Sequence, residues 1–419
     1  MHWHGCGRRG VVASDLDSQG AVGQPDRRIV VTALGIAQIL AWGTSFYFPA
    51  VFAEPIVAET GWSLGLVVGG TSLGLLVAGL VSPQVGRVID RRGGRPVLAA
   101  SSLCYALGLA GIGLAPVLPV YLAAWAVLGL GMGTGLYDAV FAALGRMYGQ
   151  AARGPITNLT LFGGFASTVC WPLSAWLIEH AGWRGACFIY AAVHLCVCLP
   201  LQIAVVRRQP EPAPAARTET TDASADAPAA ADETRILVLL TLVQSIAAAI
   251  GSIVVVHLLI FLQARGVDFA AAVALGTLFG PAQVGARVVE RVFGARYHPI
   301  WTLIAAGALM AAGLALLLGR SSLLALIILV YGAGYGITWI ARGTLPLALF
   351  GPARFPRLMG KLAFPSLIVQ ALAPSAGALL IEWRGADATI AVLAGFAALN
   401  VALIATLWLA CRTRIVRSA

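Results

Sequence analysis

The chain alternates between long apolar runs and short polar or charged segments. Most apolar runs reach the length of about 20 residues that a helix needs to cross the hydrocarbon core of a bilayer. They predict helices near residues 29–53, 64–85, 97–115, 118–146, 156–179, 185–206, 236–262, 269–290, 299–319, 322–349, 357–381 and 386–410. The pattern therefore predicts an all-α integral membrane fold of about twelve transmembrane helices.

Three segments lack the apolar pattern. Residues 1–27 are polar and are predicted to form a disordered N-terminal tail, and residues 412–419 form a basic C-terminal tail. Residues 207–234 consist mainly of Ala, Pro, Thr, Glu and Asp, which cannot build a packed core, so they predict a flexible cytoplasmic linker. The linker separates two predicted six-helix bundles, residues 28–206 and 235–411.

The composition agrees with a membrane protein. Hydrophobic residues make up 59% of the 419 residues and charged residues only 11%, too few to cover the surface of a soluble protein of this length. The sequence offers no convincing Ser-His-Asp or metal-ligand cluster, and its cysteines show no zinc-site spacing. It also lacks the nucleotide-binding loop of ATP-driven proteins. We therefore expect no enzyme activity, no cofactor and no bound metal.

The basic residues indicate membrane topology rather than a nucleic-acid partner, although the net charge is +10. If both termini are cytoplasmic, the outer loops carry only Arg184, Arg265, Arg320 and Arg384, and every other basic residue except Arg342 lies on the cytoplasmic side. That distribution follows the positive-inside rule. It predicts a multi-pass protein of a bacterial inner membrane with cytoplasmic termini.

One charged hairpin carries a specific motif. The segment that begins at Gly86 reads Gly-Arg-Val-Ile-Asp-Arg-Arg-Gly-Gly-Arg-Pro and separates two apolar runs. The spacing of Gly86, Asp90, Arg91, Gly93 and Arg95 resembles the loop between helices 2 and 3 of the major facilitator superfamily, a group of secondary transporters.

This resemblance implies two bundles that rock about a central cavity lined by helices 1, 4, 7 and 10. It also implies that Asp90 contacts the start of helix 11 and locks the inner gate, while Arg91 and Arg95 bridge to neighbouring helices. A carboxylate is favoured at a helix N-terminus by the helix dipole.

An internal repeat supports two related halves. The sequence from Gln84 to Arg91 recurs from Gln283 to Arg291, and Trp183-Arg184-Gly185-Ala186 recurs as Trp383-Arg384-Gly385-Ala386. Both offsets are about 200 residues (283 minus 84 and 383 minus 183). Two parallel repeats are typical of this class of transporter. Glu290 and Arg291 are then the degenerate counterparts of Asp90 and Arg91.

Two ionisable residues within predicted spans are the strongest site candidates. A charge in a span costs roughly 2.5–3.5 kcal/mol on insertion scales, so Asp138 and Arg342 must face protein or water. The glycine ladders that precede them indicate similar depths in symmetry-related helices. Arg342 suits a carboxylate or another oxyanion, and Asp138 is a candidate proton carrier. Alternatively the two form an interhelical ion pair, or Asp138 meets Arg146.

Weaker candidates for the cavity lining have polar or aromatic side chains, and a packing role is the more ordinary interpretation of the polar ones. They are Tyr137, Trp339, Gln38, Thr44, Ser45, Tyr47, Gln244 and His257. His257 lies near the outer end of its predicted helix, where an imidazole can titrate near neutral pH.

Other motifs narrow the function within the superfamily. Trp125 stands where drug–proton antiporters usually carry an arginine, and their glycine-proline signature in helix 5 is absent. The segments around Tyr137-Asp138, Leu161-Phe162-Gly163-Gly164, Trp171-Pro172-Leu173 and Gly182-Trp183-Arg184-Gly185 are similar to monocarboxylate and oxalate–formate porters. We therefore predict a monomeric secondary transporter of a small organic anion such as a monocarboxylate, which works by alternating access and is coupled to a proton or an exchanged ion.

Two alternatives remain at this stage. An exporter of drugs or of toxic compounds such as arsenicals could use membrane thiols, for example Cys170 or Cys196. A non-transporting membrane sensor would instead need a long ordered cytoplasmic domain.

Overall fold

The computed structural model describes residues 26–206, 227–319 and 322–418. Every regular element in these ranges is helical, which confirms the all-α class for the described part of the chain. The predicted N-terminal tail lies outside the described residues except at 26 and 27, and so does most of the predicted linker.

The helices divide into two groups on either side of the linker. The first half, residues 26–206, contains α1 (Arg27–Gly43), α2 (Pro49–Thr60), α3 (Leu64–Arg92), α4 (Gly94–Leu114), α5 (Leu118–Gly135), α6 (Tyr137–Tyr148), α7 (Arg153–Gly164), α8 (Ala166–Val193) and α9 (Leu199–Val205). The second half, residues 227–418, contains α10 (Ala227–Gln263), α11 (Phe269–Gly276), α12 (Phe279–Phe293), α13 (Pro299–Leu318), α14 (Leu324–Phe350) and α15 (Phe355–Ser418).

Eight helical stretches within these residues are long and apolar enough to cross a membrane. Two of them, Leu118–Val205 and Phe355–Arg412, run for 88 and 58 residues. A single crossing needs about 20 residues, so each of these two stretches is long enough for more than one. Each contains a glycine in the left-handed backbone region, Gly182 with φ 68° and Gly385 with φ 83°, at which the helix is kinked.

The single helix predicted over 29–53 is wrong, because α1 and α2 are separated by a turn at residues 44–48. Pro49 has no amide hydrogen with which to continue the helical ladder. The hydroxyl groups of Thr44 and Ser45 donate hydrogen bonds to backbone carbonyls one turn earlier, which weakens the helix at the same place.

The helix predicted over 118–146 is also divided, at Leu136, whose backbone is extended with φ −79° and ψ −176°. The glycines before it favour the helix weakly, and Gly135 packs too closely against α4 to carry a side chain. The Gly135 carbonyl, freed by the break, accepts a hydrogen bond from Gln38 Nε2. The break places Asp138 in the first turn of α6.

Two further predicted helices are interrupted. The run predicted over 156–179 breaks at Phe165, between α7 and α8. The run predicted over 269–290 breaks at residues 277–278, between α11 and α12.

The helices of the second half extend beyond their predicted ends. Helix α10 begins at Ala227, inside the predicted linker, where an alanine-rich segment has high helix propensity. Helix α15 continues through the predicted C-terminal tail to Ser418.

The charged hairpin is tighter than the sequence predicts. Helix α3 continues to Arg92 and α4 begins at Gly94, so Gly93 alone forms the turn. Its φ of 80° lies in the left-handed region that favours glycine. Asp90 and Arg91 therefore belong to the last turns of α3 and not to a loop.

Both borders of the linker lie at the same end of the molecule as Asp90, which we call the Asp90 end. Val206, the last described residue before the linker, lies against Gly94 at the start of α4. At the other border of the linker, Glu233 in α10 forms an ion pair with Arg354, immediately before α15. The linker therefore joins the two halves at the Asp90 end.

The two halves meet along two seams toward this end. In the α3–α15 seam the backbones are in contact. A Cβ added at Gly86 would lie 2.5 Å from the carbonyl oxygen of Pro356, and one added at Gly360 would collide with the carbonyl of Ser82. Only glycine permits this approach of two helices.

The α7–α12 seam is held by arginines. The bonds run from Arg153 to the carbonyl of Gly294, from Arg291 to the amide oxygen of Asn158, and from Arg287 to the carbonyl of Thr160. The two seams are therefore built from different chemistry although the helices that form them are related by the repeat.

The repeated sequence explains the difference. A Cβ at Gly285, the counterpart of Gly86, would have no neighbour within 4 Å. The second copy contains one additional residue, Ala286, and one residue turns a helix by about 100°. Arg287 is thereby turned into the α7–α12 seam, where it is buried, whereas its counterpart Arg87 is exposed.

The second repeated motif also differs between the copies. Trp183 and Arg184 donate hydrogen bonds to the carboxylate of Glu59 at 2.6 and 2.8 Å. The bond from Arg184 lowers the pKa of that carboxyl. Trp383, in contrast, is 84% exposed.

The α3–α15 seam generates a prediction that uses the repeat as its own control. The Gly86→Ala substitution should destabilise the protein by about 1–3 kcal/mol, because the added methyl group must push two backbones apart. The Gly285→Ala substitution should instead be neutral or stabilising by up to about 1 kcal/mol through helix propensity. Apparent melting temperatures of the purified variants in detergent check this, and equal melting temperatures would contradict the seam.

Candidate functional site

A bidentate ion pair between the two halves joins the two residues singled out from the sequence. Arg342 Nε lies 2.7 Å from Asp138 Oδ1, and Arg342 Nη2 lies 2.8 Å from Asp138 Oδ2. The second nitrogen also donates to Ser366 Oγ at 2.7 Å. The side chains of Arg342 and Asp138 are only 5% and 15% exposed. The interhelical ion pair that the sequence left open as an alternative is thus what the structure contains.

Helix geometry explains why the pair forms. Asp138 lies in the first turn of α6, where the helix dipole favours a carboxylate. Arg342 lies in the interior of α14, which continues without a break past the glycine ladder of the second half. A broken helix in the first half therefore presents its N-terminus to an intact helix in the second.

A second buried cation, Arg287, lies in the α7–α12 seam and was not among the predicted site residues. It is 3% exposed. It donates to the carbonyls of Gly336 and Thr160 at 2.9 and 2.7 Å, and more distantly to Gln283 Oε1 at 3.4 Å. A neutral carbonyl satisfies a donor but does not balance a charge.

The buried polar groups around Asp138, Arg342 and Arg287 form what we call the centre, and the charges of these three residues do not sum to zero. Asp138 matches Arg342, but no described carboxylate lies within 4 Å of the Arg287 guanidinium. An arginine cannot be neutralised by deprotonation in a protein. The centre therefore holds one buried positive charge in excess among the described residues.

Arg287 and the Asp138–Arg342 pair belong to one site. The hydroxyl of Tyr137, next to Asp138, donates to the same Thr160 carbonyl that accepts from Arg287, at 3.3 Å. On α14, Gly336, which accepts the bond from Arg287, and Arg342 itself are six residues apart (342 minus 336). This separation corresponds to about 9 Å of helix rise.

Aromatic rings line the same region. The rings of Trp42 and Tyr137 from the first half lie 5.5 and 5.6 Å from the ring of Trp339 in the second half. Trp339 also lies 5.5 Å from the Arg342 guanidinium, a cation–π distance. The halves therefore touch through both charged and aromatic groups at this depth.

Two narrow clefts flank Trp339. One is lined by Gln244, Ala247, Ala248, Tyr335, Thr338, Trp339, Arg342 and Gln370. The other is lined by Trp42, Leu75, Ser82, Met132, Gly133, Leu136, Tyr137, Asp138, Trp339, Leu367 and Gln370. Trp339 and Gln370 belong to both, so these side chains separate the two clefts.

Several weaker candidates prove to be bonded within their own half. Gln38 is satisfied by the Gly135 carbonyl and by Trp42 Nε1. Thr44 Oγ1 lies 2.9 Å from His194 Nε2, and Ser45 donates to a carbonyl of α1. These side chains stabilise the broken first helix.

The remaining two candidates differ from each other. The Tyr47 ring lies 6.4 Å from that of Trp42, so it extends the aromatic lining. His257 is buried, with Nδ1 3.0 Å from the Ile253 carbonyl, and lines neither cleft.

The hairpin motif reaches the helix that the resemblance indicates. Arg357, in the first turn of α15, donates to Asp90. Arg91 is exposed and Arg95 half-buried, and neither forms a hydrogen bond or ion pair with a described residue. The expected bridges from these two arginines to neighbouring helices are therefore not formed in this structure.

The counterparts of the motif in the second half do not reproduce it. Glu290 accepts a hydrogen bond from Thr302 within its own half, at 2.6 Å. Arg291 reaches Asn158 across the α7–α12 seam.

Three residues of the centre were missed from the sequence, namely Arg287, Ser366 and Gln370. Ser366 and Gln370 lie in the apolar run of α15 and carry no motif. Arg287 did carry a signal, since the additional residue Ala286 in the second repeat changes the face on which the arginine lies.

Helices long enough to span a membrane, two repeat-related halves and a buried polar centre between them define a membrane transporter. The profile of the Major Facilitator Superfamily matches residues 34–300. The chain belongs to this superfamily.

Individual relatives agree with this assignment. The chain is 30% identical over 185 residues to monocarboxylate transporter 13 of Bos taurus, a match that covers 41% of this chain and 40% of the relative. The chain therefore aligns with less than half of that relative's length.

Solved structures show the same fold. The human organic anion transporter MFSD10 superimposes with a TM-score of 0.68 at 16% identity, covering 91% of this chain and all of that one. The proton:xylose symporter XylE gives 0.69 at 12% identity over 91% and 95% of the two chains. The transporter FucP in its outward conformation gives 0.70 at 12% identity over 90% and 98%. At these identities the likeness establishes the fold alone.

The central ion pair generates a double-mutant prediction. Asp138→Asn and Arg342→Gln should each lower stability by about 3 kcal/mol, because each leaves a buried charge without its partner. The double variant should lose much less than the sum of the two, since no unpaired charge remains. Apparent melting temperatures of the four proteins measure the coupling, and strictly additive losses would contradict the pair.

Proposed function

We propose that this chain is a secondary active transporter of a small organic anion. The observation that carries the proposal is the excess positive charge at Arg287, buried between the two halves without a described carboxylate. A bound carboxylate would neutralise that charge and replace neutral acceptors by a charge-assisted bond. The names of monocarboxylate transporter 13 and of the organic anion transporter MFSD10 are in keeping with such a substrate.

This proposal changes the role first given to Arg342. Its guanidinium already holds a carboxylate in bidentate geometry, that of Asp138, and is therefore less available to a substrate. Among the described residues, Arg287 donates only to carbonyl and amide oxygens. We assign the substrate carboxylate to Arg287, with Tyr137, Tyr47 and Trp339 around it.

The Asp138–Arg342 pair is the proposed coupling element. Its partners belong to different halves, so the halves can separate at this depth only if the pair breaks. Protonation of Asp138 removes the charge that holds Arg342 and lowers the cost of that separation. A proton carried on Asp138 would thus travel with the anion.

The proposal also includes the membrane topology and the oligomeric state of the chain. We propose twelve spans, with the Asp90 end and both termini in the cytoplasm of a bacterial cell and the chain acting as a monomer in the inner membrane. The α3–α15 seam and the Asp90–Arg357 contact would form the closed inner gate. Alternating access would then open these seams and bring the halves together at the opposite end.

The role of Arg287 is tested by charge removal. Arg287→Gln should lower uptake of a labelled monocarboxylate into proteoliposomes by roughly 30-fold or more, equivalent to about 2 kcal/mol. Arg287→Lys should retain part of the activity because the charge is kept without the planar fork. The exposed repeat counterpart serves as the control, since Arg87→Gln should transport like the wild type. Full activity in Arg287→Gln would overturn the assignment.

The coupling role of Asp138 is tested by pH. Wild-type uptake should accelerate when the external pH is lowered, whereas Asp138→Asn should lose this dependence and keep exchange of internal for external anion. The matched control is Asp268→Asn at the start of α11, where asparagine caps a helix as well as aspartate does. Rates are normalised to folded protein. A pH profile of Asp138→Asn identical to that of the wild type would exclude Asp138 as the proton carrier.

A further inference from the structure

Two buried glutamine side chains in the cleft beside Arg342 lack hydrogen-bond partners. Gln244 of α10 and Gln370 of α15 are 5% and 4% exposed, and both line the same cleft. Neither Oε1 nor Nε2 of Gln244 has a protein partner, and Oε1 of Gln370 has none either. Burying such a group without a partner costs stability.

Other buried glutamines of the described chain are bonded. Gln38 contacts the Gly135 carbonyl and Trp42, and Gln202 Oε1 accepts from Ser102 at 2.8 Å. Among the buried glutamines of the described chain, the unpartnered ones are thus Gln244 and Gln370, although the amide oxygen of Asn400, outside the cleft, also lacks a partner. The two glutamines occur in a cleft that adjoins the proposed substrate site.

The cleft and Arg287 both border the same turn of α14. Tyr335 lines the cleft with Gln244, and the next residue, Gly336, accepts the hydrogen bond from Arg287. A ligand of a few carbon atoms that extends from Arg287 into this cleft would place its other end at the two amides.

The chemistry of the amides selects that other end. Two carbonyl oxygens need a donor and one NH₂ group needs an acceptor. A hydroxyl group offers both functions. An alkyl chain offers neither, and a second carboxylate offers acceptors only.

We propose that Gln244 and Gln370 form a hydroxyl-recognition subsite and that the transported anion is a hydroxy acid. This inference rests on the proposed anion transport. It goes further in naming the residues that distinguish a hydroxylated acid from its alkyl and dicarboxylate analogues. In the ligand-free protein these amides reduce stability in return for selectivity.

The test compares one carbon skeleton with and without the hydroxyl group. Butyrate, 2-, 3- and 4-hydroxybutyrate, succinate and neutral butane-1,3-diol compete for uptake in proteoliposomes of the full chain. At least one hydroxybutyrate should compete at least roughly tenfold better than butyrate and than succinate, because a site built to bond a hydroxyl rejects an analogue that lacks it. The diol should not compete, since it has no carboxylate.

Leucine substitutions separate recognition from structure. Gln244→Leu and Gln370→Leu should keep butyrate competition, reduce the hydroxyl preference to roughly twofold or less, and raise the melting temperature of the ligand-free protein by removing unpaired amides. The control is Gln202→Leu, which should lower the melting temperature by leaving Ser102 unpaired and should keep the hydroxyl preference.

The outcomes are distinct. Equal competition by butyrate and all three hydroxybutyrates, or a leucine variant that lowers the melting temperature and leaves the preference intact, would overturn the subsite but not anion transport. If none of the acids competes and none stabilises the wild type, the proposed function fails and this inference fails with it.

Discussion

A guanidinium group keeps its charge wherever it is buried, and this constraint determines how the two halves of the protein meet. Arg153, Arg287, Arg291, Arg342 and Arg357 all bond across the boundary between the halves. Arg287 and Arg342 are buried and must find acceptors within the protein, because lipid offers none, whereas Arg291 and Arg357 are exposed. Polar bonds therefore fix the boundary at discrete points, in addition to the apolar surfaces that pack between the halves.

The centre combines two different ways of presenting polar groups. The first half uses broken helices, whose exposed ends supply the Thr160 carbonyl and the Asp138 carboxylate. The second half uses intact α14 as a support for Arg342 and for the carbonyl that receives Arg287. Breaks in membrane helices are tolerated where side chains such as Gln38 satisfy the freed backbone groups. At this site the second half thus provides both cations and some of their acceptors, and the first half provides the remaining acceptors.

Much of this organisation can be predicted from the sequence. Run lengths predict the all-α membrane class, and the repeats predict two related halves. The matched glycine ladders bring Asp138 and Arg342 to one depth, where the structure pairs them. The breaks at residues 44–48 and at Leu136 were not predictable from hydropathy, because the residues on both sides are equally apolar.

The direction in which Arg287 points could be predicted only in part. The additional residue Ala286 indicates that Arg287 lies on a different face from Arg87, but at the end of an apolar run an arginine facing water is the ordinary expectation. Only the packing of α7 against α12 decides that this face points inward. Gln244 and Gln370 lack hydrogen-bond partners because of the residues that surround them in three dimensions, and this could not be predicted from the sequence.

The contrast between the two seams has a mechanical consequence. Where α3 crosses α15, glycines bring the two backbones into contact, and the Asp90–Arg357 bond is the directional contact that must break when the helices part. Where α7 crosses α12, the bonds made by Arg153, Arg287 and Arg291 must all be exchanged. Parting the two halves therefore breaks more directional bonds along one flank than along the other, even though both flanks descend from the same repeated sequence.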